Sequence, residues 1–385
     1  MGCAAGRAKV NQESTAQRSR DQTNINEKPA SARASIAIPE ADLTTYFVFS
    51  SKELGHGQFG SIREARLVND STARMALKSI LKSRLPDRFI QSEADIWSRL
   101  DHPYIARFYG AVQDSQYFHL LVELCEGGDL AKKVSQFKGL EESECQKFFL
   151  QVVLSVDYLH QQGIAHRDLK LNNFLLKDKS AETDIRMVDF GFSHPEGTQT
   201  MNDAVGTLRY LAPEVFSGNY TLKADIWSLG VMLYVMVSNQ FPYELEIGST
   251  PKAKIVQMSK IHFDGQAWKR FNPAVQDLIK KLLEHNSEKR PTCQEILAHP
   301  WLEPSFGRLC SQGQQLLPKD WSARLKEVSG VENPPAPLVY PIRQGPSPDT
   351  PLSKNCPSVY IYLCKQNPNS LTYSQLLRSL KLNMN

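Results

Sequence analysis

The prevailing hydrophobic period lengthens at Gly127-Gly128, and that change constrains the fold more than any other feature. Before it, Tyr46-Phe47-Val48-Phe49, Ser61 to Val68, Met75-Ala76-Leu77-Lys78, Ile105 to Val112 and Tyr117 to Leu124 are short strand-like runs separated by turn residues. They predict an antiparallel sheet. One helix interrupts them: over residues 86 to 100, Phe89, Ile96, Trp97 and Leu100 fall on one face, and Glu93 falls on the same apolar stripe. A carboxylate there needs a cation. After Gly128 the period lengthens. Glu141 to Gln161 carries acids in its first turn, suited to the helix dipole, and an apolar face from Phe148, Val152, Val156 and Leu159. Residues 222 to 237 are apolar almost all round, as in a buried central helix. Further amphipathic helices are expected near Lys252 to Ser259, Pro273 to Glu284 and Thr292 to Leu297. The fold class is α+β, with a sheet-bearing part and a mostly helical part meeting at a glycine hinge.

A length of 385 residues with 41% hydrophobic and 22% charged residues provides for a core and excludes a fibrous or wholly disordered chain. The net charge of +4 is too small to make nucleic acid the expected partner. Seven cysteines, Cys3, Cys125, Cys145, Cys293, Cys310, Cys356 and Cys364, are scattered without CxxC spacing, which fits free thiols in a reducing cytoplasm. No run of 18 or more apolar residues occurs, and the N-terminus lacks a signal-peptide core. Residues 1–40, rich in Ala, Ser, Gln, Asn and mixed charges, read as a disordered arm. It opens Met1-Gly2-Cys3-Ala4-Ala5-Gly6, which offers Gly2 for a myristoyl group and Cys3 for a palmitoyl group, although Gly6 departs from the usual Ser or Thr. Two adjacent acyl chains anchor stably where one does not, so the pair predicts a cytoplasmic protein held at a membrane. The 84 residues from Leu302 onward hold 11 of the chain's 22 prolines, which is the composition of a tail. Within it, Val359 to Leu363 alternates like a strand and Leu371 to Leu382 fits a helix; each either packs back or meets a partner.

Between the Glu141–Gln161 helix and an expected hairpin, Phe174-Leu175-Leu176 with Ile185 to Val188, lies His166-Arg167-Asp168-Leu169-Lys170-Leu171-Asn172-Asn173. An acid, a cation and an amide in one loop suit phosphoryl chemistry, though alone the loop also fits a solvated turn. Gly55-His56-Gly57-Gln58-Phe59-Gly60 lets backbone approach phosphates closely, because glycine lacks a Cβ. The same spacing opens a helix in dinucleotide folds, whereas here Ser61-Ile62 begins a second strand. Lys78, at a strand end, becomes a positioned cation if it pairs with Glu93, able to hold α and β phosphates. Asp189, ahead of Phe190 and Gly191, and Asn173 offer the hard oxygen ligands that magnesium prefers.

In this order the motifs resemble those of eukaryotic-type protein kinases: glycine-rich loop, strand lysine, helix glutamate, His-Arg-Asp loop, Asp-Phe-Gly, and Ala212-Pro213-Glu214. Leu100-Asp101-His102-Pro103, Glu126-Gly127-Gly128-Asp129-Leu130, Asp225-Ile226-Trp227-Ser228 and His299-Pro300-Trp301 are most similar to the calmodulin-dependent group, especially calcium-dependent protein kinases. The resemblance implies a two-lobed kinase domain over 46–302, with lobes 46–124 and 128–302, followed by a tail over 303–385. It implies ATP and Mg2+ as cofactors, protein serine and threonine hydroxyls as acceptors, and a signalling role. Asp168 would orient or accept the hydroxyl proton, Lys170 would meet the transferred group, and Asn173 and Asp189 would hold the metals. Leu54, Ile62, Ala76, Val122, Leu175 and the backbone of Glu123 to Cys125 would enclose adenine beneath the loop Gly55 to Ser61. Asp129 would lie near ribose and a basic substrate residue, and Glu214 and Arg290 would form a buried ion pair. Lys170 with Thr207 is the serine/threonine pattern. The alternative is a membrane-tethered pseudokinase or scaffold, which would usually have lost Lys78, Asp168 or Asp189.

Several positions depart from that pattern. Leu171-Asn172 stands where Pro-Glu is usual, which predicts weak dependence on arginine at the second position upstream of the acceptor. Val122 is a modest residue at a position where larger ones are common, which predicts room for bulkier inhibitors. No D-x-D-x-D-G-x5-E loop follows Trp301, so direct calcium activation is not expected. Leu316, Leu317, Trp321, Leu325 and Val328 with Lys319, Arg324 and Lys326 suggest an autoinhibitory or calmodulin-target helix, opposed by Pro318 and two acids. Thr198 and Thr200 are candidate phosphorylation sites, because a phosphate there would find Arg167.

Overall fold

Five strands pair into one antiparallel sheet of order β1-β2-β3-β5-β4: β1 (Phe47–Gly57), β2 (Gly60–Leu67), β3 (Asp70–Leu81), β4 (Phe108–Gln113) and β5 (Tyr117–Glu123). The computed structural model describes residues 43–311 except 46, 58–59, 69, 85–86, 196–205, 219 and 247–248. Gly2, Cys3, Gln58, Phe59, Thr198, Thr200, the segment from Leu316 to Val328 and the two tail elements therefore lie outside the described residues.

Strand periodicity divides β3 between two cores. Met75 and Leu77 join Leu43, Phe47, Ala65 and Leu121 on one face of the sheet, while Ala76 and Ile80 face the main core. Lys78 shares the face of Ala76 and Ile80, the one that α1 (Asp87–Trp97) covers. Gly60 tightens the β2–β3 pairing, since a Cβ there would lie 1.7 Å from the Ser79 carbonyl oxygen. On α1, Ile90, Glu93, Ala94 and Trp97 are buried, but Phe89 is 42% exposed. The buried stripe is centred one residue further on than expected, which leaves Phe89 at the margin of the first turn.

The helical part comprises α2 (Leu130–Phe137), α3 (Glu142–Gln161), α4 (Lys223–Ser238), α5 (Pro251–Met258), α6 (Gln266–Lys269), α7 (Ala274–Leu282), α8 (Cys293–Leu297) and α9 (Glu303–Ser311). Two short ladders flank the loop after α3: β6 (Ile164–Ala165) with β9 (His194–Pro195), and β7 (Phe174–Leu176) with β8 (Ile185–Met187). Helix α4 is buried along its length from Ala224 to Val237, which explains its lack of a polar face. Sequence periodicity did not reveal α2, because eight residues with only Leu130 and Val134 buried barely register a period. Thr292 and Glu295 form a reciprocal capping box that starts α8. Beyond Trp301, α9 buries Phe306, so ordered structure continues past the composition change at Leu302.

Candidate active site

A buried acid in the first turn of α4 sets the loop from His166 to Asn173. Asp225 is 2% exposed in an otherwise apolar helix and must find donors. Its Oδ2 accepts the His166 backbone N–H at 2.8 Å and bonds His160 Nε2 at 2.9 Å, and its Oδ1 accepts the Arg167 N–H at 2.9 Å. This tie holds Arg167 in the left-handed region, at φ 66°. For a side chain of that size the conformation costs on the order of 1–3 kcal/mol and persists only where the surroundings enforce it. Gly206 closes against the same loop at φ +112°; a Cβ there would come within 2.5 Å of the Arg167 carbonyl oxygen.

Burial alone would raise the Asp225 carboxyl, but the bond and charge of His160, with His166 nearby, hold it below its ordinary value of 3.8. A depressed folded-state value means that Asp225 stabilises the fold fully above about pH 4 and that this contribution is lost as pH falls further. Asp225→Asn is expected to lower the Tm at pH 7 and to flatten the acid limb of a Tm-versus-pH profile below about pH 4. An acid limb of unchanged slope would show that other carboxylates carry it.

The loop's functional groups converge beyond this anchor. Lys170 Nζ donates to Asp168 Oδ2 at 2.6 Å and to Thr207 Oγ1 at 3.0 Å, and the Thr207 hydroxyl and backbone N–H both donate to Asp168 Oδ1 at 2.8 Å. Asn173 Nδ2 donates to the Asp168 carbonyl at 2.9 Å, which turns its amide oxygen away from that contact. Asp168 is thus an ionic acceptor aimed by several donors, with a cation beside it. That arrangement can receive a hydroxyl proton and neutralise charge on a group transferred to the hydroxyl oxygen.

A second cluster joins the lobes. Lys78 Nζ donates to Glu93 Oε1 on α1 at 2.7 Å and to Asp189 Oδ1 at 2.8 Å. Burial works against the Lys78 charge, but the two carboxylates outweigh it and raise the ammonium above its ordinary range. Burial raises the Glu93 carboxyl, with Lys78 opposing. Asp189 is held below its ordinary value because Lys78 outweighs the effect of burial. Asp189 also lies at φ 69°. Phe190, fully buried behind it, packs 5.0 Å from the Trp97 ring of α1 and 5.5 Å from the His166 ring, ring centre to ring centre. The position of α1 is therefore coupled to the catalytic loop through one aromatic side chain.

The residues expected around a nucleotide differ in burial. Ala76 and Val122 are buried, Ile62 packs against the core and Leu175 is half-buried beside Asp129, while Leu54 is 46% exposed on β1. Gly55 and His56 lie on β1 and pair with Ile62 and Ser61, and Gly57 pairs with Gly60. A Cβ on Gly55 would meet nothing within 4 Å, so the strand leaves open space there. The Glu123 carboxylate turns to Arg186 at 3.0 Å, and its backbone N–H donates to the Arg107 carbonyl at 2.8 Å. Burial pushes the Cys125 thiol up to about 12, so it is unreactive at neutral pH. Asp129 caps α2 through the Lys132 N–H at 2.8 Å. Among the described residues, neither Asp189 Oδ2 nor Asn173 Oδ1 accepts a hydrogen bond. Two hard oxygens without a third protein ligand fit magnesium, which keeps water and phosphate oxygens in its shell.

The sequence pattern of the protein kinase domain matches residues 49–302. The chain belongs to the protein kinase family. Relatives of its kinase domain include the ovarian-specific serine/threonine-protein kinase Lok of Drosophila melanogaster, 34% identical over 71% of this chain and 60% of that protein. Calcium-dependent protein kinase 4 of Arabidopsis thaliana is 35% identical over 65% of this chain and 51% of its own length. Calcium/calmodulin-dependent protein kinase type 1 of Macrobrachium nipponense is 32% identical over 65% of this chain and 73% of its own. The matched region thus spans half to three quarters of the length of these relatives, and the latter two fall in the group that the motifs resemble.

The contacts of two residues at this site, Asp225 and Thr207, do not follow from the sequence. Asp225 was visible only as part of a motif, yet a lone acid in an apolar helix was a signal that it must bond something buried. Thr207 marked acceptor type, and its direct bonds to Asp168 and Lys170 depend on a fold-back from 37 to 39 residues downstream.

Proposed function

We propose that this chain is an active serine/threonine protein kinase that uses ATP and magnesium, and that it works in signalling from a membrane-anchored position in the cytoplasm. The observation that carries the reading is the intact pair of clusters: Lys78 between Glu93 and Asp189, and Asp168 between Lys170 and Thr207. Magnesium-bound ATP supplies the phosphoryl group. Lys78 would bind its α and β phosphates, and Asn173 and Asp189 would hold the metal. Asp168 would take the acceptor's proton, while Lys170 balances charge at the acceptor oxygen.

The test is transfer from ATP to matched peptides bearing serine, threonine or tyrosine as acceptor. Serine and threonine peptides are expected to be phosphorylated and the tyrosine peptide not. Varying the second upstream position should change kcat/KM by less than about threefold between arginine and alanine, because Leu171 is buried and exposed Asn172 has no charge to offer. Nucleotide binding without any transfer would favour the scaffold reading.

The membrane part rests on Gly2 and Cys3. Gly2→Ala is expected to shift most of the protein from the membrane to the soluble fraction, since the remaining cysteine would lose its companion chain. An unchanged distribution would remove the anchor.

A further inference from the structure

An exposed cation that the phosphoryl-transfer residues do not use lies beside the acceptor site. Arg209 is two residues beyond Thr207, whose hydroxyl touches both Asp168 and Lys170. Its guanidinium carbon stacks 4.8 Å from the centre of the Phe241 ring. Its carbonyl accepts the Tyr243 hydroxyl at 3.1 Å, and Tyr243 in turn accepts the Trp227 indole N–H at 3.0 Å inside α4. Backbone and side chain are thus both held in place. Among the described residues, no carboxylate pairs with Arg209.

Several acids of the described residues are engaged, and Glu244, exposed one residue beyond Tyr243, has no ion-pair partner among them. Asp129 caps α2 and pairs with Lys132, Glu126 is gripped by both Arg74 Nη atoms, Glu214 is bound by Arg290, and position 172 is a neutral asparagine. An anionic substrate residue finds a pre-ordered guanidinium at Arg209. The planar fork of arginine matches a carboxylate or phosphate with two parallel hydrogen bonds, and stacking removes part of the ordering cost.

We propose that Arg209 is a specificity residue that selects substrates carrying an anionic side chain, a carboxylate or an existing phosphate, within about three residues of the accepting hydroxyl, the span that two residues of backbone and one arginine reach. The proposal rests on the kinase reading and narrows its substrate class.

The test uses the full chain and a serine peptide set: an uncharged parent, and versions with glutamate, phosphoserine or lysine at each position from three before to three after the acceptor. For the wild type, kcat/KM should rise about tenfold over the parent for glutamate or phosphoserine at one of these positions. Phosphoserine alone would identify a substrate already phosphorylated; both would identify any acidic segment. Arg209→Gln should bring the ratio to about one, and Arg209→Glu should shift preference to the lysine peptide. Ratios within one enzyme cancel any change in overall turnover. A wild type indifferent to these charges, or an unchanged ratio in Arg209→Gln, overturns the proposal. Absence of transfer to every peptide defeats the kinase reading instead. Fluorescence anisotropy of the same labelled peptides then decides: tighter binding of acidic ones, lost in Arg209→Gln, supports the proposal, and equal binding overturns it.

Discussion

Asp168→Asn is expected to lower kcat for peptide phosphorylation by about 10²- to 10⁴-fold while changing nucleotide Kd by less than about threefold. The carboxylate accepts from Lys170 through one oxygen and from the Thr207 hydroxyl and N–H through the other. An amide of the same shape has one acceptor oxygen and an NH2 group that cannot accept. Either Lys170 or Thr207 must then face a donor, and the acceptor hydroxyl loses its proton sink. Lys78, proposed to bind the nucleotide phosphates, and its partner Glu93 lie in the other cluster and keep their bond, so binding should survive. Paired measurements of turnover and nucleotide affinity check this, and retention of more than about a tenth of wild-type kcat would take Asp168 out of the proton-transfer role.

The second large effect concerns stability. Arg290 has no side-chain exposure, and its guanidinium reaches both Glu214 oxygens, at 2.5 and 2.8 Å, the carbonyls of Glu284 and Lys223, and the face of Trp227 at 5.1 Å. Glu214→Ala leaves that cation buried without its counter-charge, which typically costs about 3–5 kcal/mol. For a domain of this size the Tm should fall by roughly 6–20 °C. Glu214→Ala combined with Arg290→Leu should lose less than the sum of the single changes, because no bare charge remains. Calorimetry on the four proteins measures both outcomes, and a fall in Tm below about 2 °C for Glu214→Ala would mean that water reaches the guanidinium.

The site was legible to the extent that its residues sit in local patterns. Lys78 in a strand-like run, Glu93 on an apolar stripe and Asp168 between two apolar runs could all be singled out, and Lys78 and Glu93 do meet at 2.7 Å, although Lys78 lies inside β3, which continues to Leu81, and not at the strand end expected. The additional bond from Lys78 to Asp189 could not be foreseen, since it spans 111 residues and depends on how the lobes close. Periodicity found the long helices but passed over α2, where only Leu130 and Val134 are buried, over the single turn of α6, and over α9, where Pro304 and Gly307 interrupt the pattern. Phe89 was placed on the buried face because spacing gives the direction of a stripe but not how far a helix extends past the sheet it covers. Support residues such as Asp225 and Thr207 were hidden for the same reason as the Lys78–Asp189 bond.

The tie from Asp225 to the catalytic loop also has a temporal side. The acid follows the His166 amide it holds by 59 residues, which at a synthesis rate of about 5–20 residues per second is a delay of roughly 3–12 s. During that interval a nascent chain already contains Asp168 and Lys170 without the helix that fixes their loop. Competence for phosphoryl transfer is therefore written into the chain late, by the central buried helix, and a nascent chain that stalls before α4 is made would bear the signature residues without the site.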